Sequence, residues 1–107
     1  MAEMTLESIG THQLDAAKNS PNGRASRTLH SGARLRQTLM ALTAGTRCDE
    51  HQSEGDATVQ CLRGRVRLNA GERSILVEEG TLVDVPPWRH DLVADEDSLV
   101  ILTVGLG

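Results

Sequence analysis

The alternation of apolar and polar positions changes character near residue 23. Before it, Thr11-His12-Gln13-Leu14-Asp15-Ala16-Ala17-Lys18 begins on a capping residue and ends on a lysine. Asn19-Ser20-Pro21-Asn22-Gly23 follows, so the pattern predicts one short helix with a firm stop. Ile9, Leu14 and Ala17 give it enough apolar surface to lean on a core but not to form one. From residue 24 onward no segment keeps a helical period. Short runs rich in Val, Leu and Ile are predicted as strands over 24–29, 35–42, 57–62, 66–68, 74–77, 82–85, 92–94 and 99–104. His30-Ser31-Gly32-Ala33, Thr43-Ala44-Gly45-Thr46, Asn69-Ala70-Gly71-Glu72 and Glu78-Glu79-Gly80 are read as the turns between them. Short strands at this spacing predict an all-β sandwich or barrel.

One strand carries extra information. Leu35, Leu39 and Ala41 share one face of the 35–42 segment, and Thr38, Met40 and Leu42 share the other. A strand with one wet face alternates apolar with polar, whereas the second half here is apolar on both. Both faces therefore need cover: the barrel on one side, and the N-terminal helix or a second subunit on the other. A homodimer is expected.

Length and composition narrow the class. A chain of 107 residues is expected to form one domain, residues 24–107, with residues 1–23 as a helix and linker packed on it. The formal net charge of −4 lacks the basic surface that nucleic acid demands, so no nucleic-acid partner is expected. There is no Phe, no Tyr and a single Trp, Trp88, which removes base-stacking platforms and makes the core aliphatic. The N-terminus lacks a basic stretch followed by an apolar run, and Leu99 to Leu102 is too short to span a bilayer. Cys48 and Cys61 form no CxxC pair and read as reduced thiols. Those signs predict a cytoplasmic protein with no membrane partner.

Two segments resemble the paired motifs of the cupin superfamily. In the first, Gly45 is followed by five residues and His51, and the segment closes on Gly64. In the second, Gly80 is followed by five residues, Pro86, the turn Pro87-Trp88-Arg89, and His90. The resemblance covers roughly residues 24–104 and implies an antiparallel jelly-roll of the RmlC-like kind. It also implies a metal held by two histidines and a glutamate from the first motif and a histidine from the second. Only His51 and His90 match that set: Ser53 stands at the second histidine and Ala57 at the glutamate. The resemblance therefore implies the fold with a degenerate metal-binding motif.

On a strand, His51 and Ser53 would aim one imidazole and one hydroxyl into the barrel. Two imidazoles are a poor metal cage, because catalytic zinc sites use three protein ligands and a facial iron triad needs a carboxylate. No cofactor is favoured. A divalent transition metal would need His51 and His90 joined by Cys61, Gln60 or Asp84, and Cys61 shares the parity of Ala57 and Val59. Glu50 and His30 are candidates for that third ligand as well. Ser53 has no GxSxG-like elbow around it, so hydrolase chemistry is disfavoured. Arg63, Arg65 and Arg67 alternate as if to share one strand face, read as solvated and balanced by Glu72, Glu78 and Glu79. Asp49-Glu50, Glu54-Gly55-Asp56 and Asp95-Glu96-Asp97 are read as solubilising loops without calcium-site spacing. The expectation is a small organic ligand in the barrel interior, contacted by His51, Ser53, Cys61, Trp88 and His90. A metal-dependent enzyme of dioxygenase, isomerase or cyclase type is one alternative, and a regulatory or partner-binding module with a vestigial pocket is the other.

Overall fold

The computed structural model describes residues 5–49, 55–87 and 89–106. Helix α1 spans Leu6–Lys18. It begins five residues before the expected start, with Thr5 at the N-cap in extended conformation. Thr11 sits inside the helix, where its hydroxyl donates to the Glu7 carbonyl at 3.0 Å. A threonine can bond back one turn as well as cap, and here it does the former. Gly10, Gln13, Leu14 and Ala17 form the buried stripe, at the spacing of one helix face. Gly10 is small for a reason: a Cβ there would lie 2.6 Å from Leu99 Cδ1.

Among the described residues nine strands follow: β1 Arg24–Ser31, β2 Leu35–Leu42, β3 Arg47–Asp49, β4 Ala57–Arg63, β5 Arg65–Ala70, β6 Arg73–Glu78, β7 Leu82–Asp84, β8 His90–Ala94 and β9 Ser98–Gly105. They make two antiparallel sheets, ordered β1-β2-β9-β4-β7 and β3-β8-β5-β6. The all-β jelly-roll expectation holds. Three local expectations change. β3 is not among the predicted strands, because two charged residues around one cysteine hide its pattern. β1 runs on through His30 and Ser31, with a bulge between Thr28 and His30. β8 starts at His90, two residues before the expected start at Leu92.

The sheets enclose an aliphatic core of Met40, Leu42, Val59, Cys61, Val66, Leu68, Val77, Leu92, Ala94 and Val100. A second cluster lies on the outer face of the five-stranded sheet, where Leu39, Ala41, Leu99 and Ile101 meet Leu14 and Ala17 of α1. The two faces of β2 divide as the sequence predicts. Each fully buried leucine among them contributes on the order of 1.5–3 kcal/mol. Because α1 covers Leu39 and Ala41, that apolar face does not by itself require a second subunit.

Gly64 passes the chain from one sheet to the other. Arg63 ends β4 in the five-stranded sheet and Arg65 opens β5 in the four-stranded one, with Gly64 between them at φ +85°. The three arginines consequently do not share a face. Arg65 and Arg67 lie outward on β5 and both reach Asp95, at 3.2 Å and 3.1 Å. Their counter-charge is thus an acid expected only to solubilise a loop. Asp97 is also engaged, accepting from the Ala44 amide at 2.9 Å. Among the described residues, no helix is long and apolar enough to cross a membrane.

Candidate functional site

Strand parity settles which side chains look into the barrel. On β8, His90, Leu92 and Ala94 are buried while Asp91 and Val93 are partly exposed. Leu92 and Ala94 belong to the inner core, so His90 points inward with them, and it is only 6% exposed. Its cross-strand partner on β5 is Ala70. On β3, Cys48 pairs with Leu92 and packs against the inner core, which places a thiol on the same wall. Sequence reasoning passes over Cys48, because the three-residue strand that aims it inward gives too short a pattern to read.

The outward side of the same wall is polar and cross-linked. Arg47 holds Asp91 at 2.7 Å and Asp49 at 3.0 Å, and Asn69 donates to Asp91 at 2.9 Å. These contacts tie β3, β8 and β5 together directly behind His90. A cleft of about 460 Å³ opens here, lined by Arg47, Asp49, Asn69, Arg89, His90 and Asp91. A second opening, of about 480 Å³, lies at the seam between β6 and β7.

The other expected site residues divide into three groups. His51, Ser53 and Trp88 lie outside the described residues, as does Glu50. Cys61 is fully buried and faces inward with Ala57 and Val59, but toward a different end of the barrel from His90. Its Sγ donates to the carbonyls of Arg63 at 3.3 Å and Gly64 at 3.5 Å. His90 lies level with Ala70, six residues from Gly64 along β5, about 20 Å at strand rise. The grouping of Cys61 with His90 therefore needs correction. Gln60 and Asp84 are exposed and alternate with inward residues, so both face out of the barrel. His30 is exposed on β1, its ring beside Gly32.

Burial pushes the Cys61 thiol up, and the charges of Glu79 and Glu96 push the same way, against the hydrogen bond to Arg63 that pulls it down. That thiol is a core filler, not a nucleophile. The metal set implied by the fold family does not fit the described residues. Ala57, at the position of the glutamate, is a buried methyl with no donor atom, and Cys61, Gln60 and Asp84 do not replace it. Among the described residues, no three His, Cys, Asp or Glu side chains gather to hold an ion.

No protein-family model and no curated protein matches the sequence. Solved structures do. A conserved protein of unknown function from Streptococcus pyogenes is 29% identical, with a TM-score of 0.73 over 82% of this chain and 78% of that one. The TT1209 protein of Thermus thermophilus is 23% identical at a TM-score of 0.78, covering 98% of each chain. A cupin superfamily protein from Desulfitobacterium hafniense is 16% identical at a TM-score of 0.73, covering 78% of each. Enzymes share the architecture too: this chain matches 32% of a salicylate 1,2-dioxygenase from Pseudoaminobacter salicylatoxidans, at 16% identity and a TM-score of 0.76. The sheets, their strand order and these likenesses define a small protein of the cupin fold, of the RmlC-like kind.

Proposed function

We propose that this chain is a stand-alone cupin that binds a small organic molecule in the barrel interior, at the His90 end. Residues 24–107 form the binding barrel and residues 1–23 a helix and linker packed on it. The observation that carries the reading is His90 itself: an imidazole 6% exposed, at the inward parity of Leu92 and Ala94 on β8 and level with the methyl of Ala70. Ligand sites in small barrels are mostly apolar with a few convergent polar groups, and an aliphatic core with one inward imidazole fits that description. The motif resemblance adds His51, Ser53 and Trp88 as further contacts. Cys61 is left out of this set, because its thiol is held at the Gly64 end of the barrel.

The metal motif is degenerate in this reading, with Ser53 and Ala57 in place of two donors, and no cofactor is assigned. A reducing cytoplasmic setting suits Cys48 and Cys61, which form no disulfide. We also propose a homodimer. Beyond α1, the outer face of the five-stranded sheet exposes Leu35 at 39% and Leu82 at 60%, apolar surface that a second copy would cover.

Native mass spectrometry of the purified protein, with elemental analysis, tests all three parts. The expected result is a dimer carrying a small organic molecule and less than stoichiometric metal, with the molecule lost in His90→Ala. One metal ion per chain, lost in both His51→Ala and His90→Ala, would overturn the metal-free reading in favour of a metal-dependent enzyme. An empty protein whose His90→Ala variant behaves identically would favour a regulatory module.

A further inference from the structure

Three residues of the four-stranded sheet stand in one register row. Ala70 of β5 pairs with His90 of β8 on one side and with Arg73 of β6 on the other. The neighbouring pairs Leu68–Ile75 and Val66–Val77 face the inner core, so the Ala70–Arg73 pair has inward parity as well. The row thus runs from a buried imidazole through a buried methyl to an arginine that is exposed at the end of the sheet, the outer two backbones two strand spacings apart, about 10 Å.

Arg73 lies at the seam where the two sheets end, since β6 and β7 are each the last strand of their own sheet. The seam opening of about 480 Å³ is lined by Arg73, Ile75, Val83, Val85 and Pro86, with Asp84 on the opposite lip. Ile75, Val83 and Val85 are partly buried against the inner core. The slot is therefore apolar inside and carries one guanidinium at the edge. That guanidinium makes no ion pair and no side-chain hydrogen bond among the described residues.

We propose that the molecule bound in the barrel is a small carboxylic acid with an apolar body, its carboxylate held by Arg73 and its body lying in the seam toward His90. This rests on the small-molecule reading above and names its chemical class. A guanidinium presents a planar fork that matches a carboxylate in two parallel hydrogen bonds, and such charge-assisted bonds are about twice as strong as neutral ones. Ile75, Val83, Val85 and Pro86 offer the body an aliphatic wall. Asp84 on the lip is exposed and forms no ion pair with Arg73, so the guanidinium fork stays open to a ligand.

The test uses benzoate and butyrate against benzamide and butyramide, pairs matched in shape and different in charge. Dissociation constants are measured by ligand-observed NMR on the full chain, on Arg73→Gln and on Arg73→Lys, with thermal melts to confirm folding. At least one acid should bind about tenfold tighter than its amide. Arg73→Gln should erase that preference while leaving the amide unchanged, and Arg73→Lys should keep part of it. An amide that binds as well as its acid, or a preference that survives Arg73→Gln, overturns the carboxylate assignment and leaves the small-molecule reading standing. No binding by any of the four up to roughly 10 mM also overturns it. The small-molecule reading is then decided separately, by the mass of whatever co-purifies.

Discussion

Gly64 and Ser98 approach so closely that a Cβ on Gly64 would collide with the Ser98 hydroxyl. Ser98 is fully buried, accepts from the Arg65 amide at 2.9 Å and donates to the Glu96 carbonyl at 2.7 Å. The crossing between sheets is therefore closed by a glycine at positive φ against a serine that cannot withdraw.

Gly64→Ala should be strongly destabilising. It combines a left-handed backbone that L-residues resist with a steric clash against a pinned side chain, together about 2–4 kcal/mol. Urea unfolding of the variant should show a lower midpoint with an unchanged slope. An unaltered midpoint would mean that the crossing relaxes without cost.

Asp95 serves two guanidiniums at once, with its own side chain 19% exposed and those of Arg65 and Arg67 44% and 49% exposed. Asp95→Asn should cost about 0.5–1.5 kcal/mol, less than a buried pair because water screens the arginines. The loss should shrink as salt rises from low to molar concentration. Thermal melts across a salt series would show it.

Leu14 is the central anchor of α1 on the outer cluster, 6% exposed. Leu14→Ala should cost about 2–4 kcal/mol. Leu14→Asp should lift the helix and expose Leu39, Ala41, Leu99 and Ile101, so the variant should associate beyond the wild-type state in sedimentation velocity. A variant that sediments as the wild type would show that α1 does not shield that surface.

Cys61 should lend a pH dependence on the alkaline side. Its folded thiol holds its proton above the usual range, so the folded state binds that proton more tightly than the unfolded chain. Stability from this group is complete below the unfolded thiol pKa and declines as pH rises through the folded one. Cys61→Ala should remove that alkaline decline, read from urea midpoints at increasing pH. Iodoacetamide should leave Cys61 unmodified in the native protein and label it on unfolding.

The fold is legible in the sequence because its signal is repetitive. β2 is found over the very residues predicted, since Leu, Met and Ala on both faces leave no other reading. The helix start is misread because Thr11 is a good cap that instead bonds within the helix. The site is less legible, for geometric reasons. Parity shows that Cys61 faces inward, but not at which end of the barrel it lies, which only the register fixes. Arg73 draws no attention as one arginine of ten, because what singles it out is its row with Ala70 and His90. The arginine stripe misleads because a period of two is carried through Gly64, where the chain changes sheets.

The placement of β2 and β9 bears on the order in which the protein opens. Each has a hydrogen-bonded strand on both flanks and apolar cover on both faces, from the inner core and from the α1 cluster. Their amides cannot meet solvent through a local opening confined to one side. They should be the last to exchange with deuterium, at rates set by global unfolding, while the edge strands β3 and β7 exchange through smaller fluctuations.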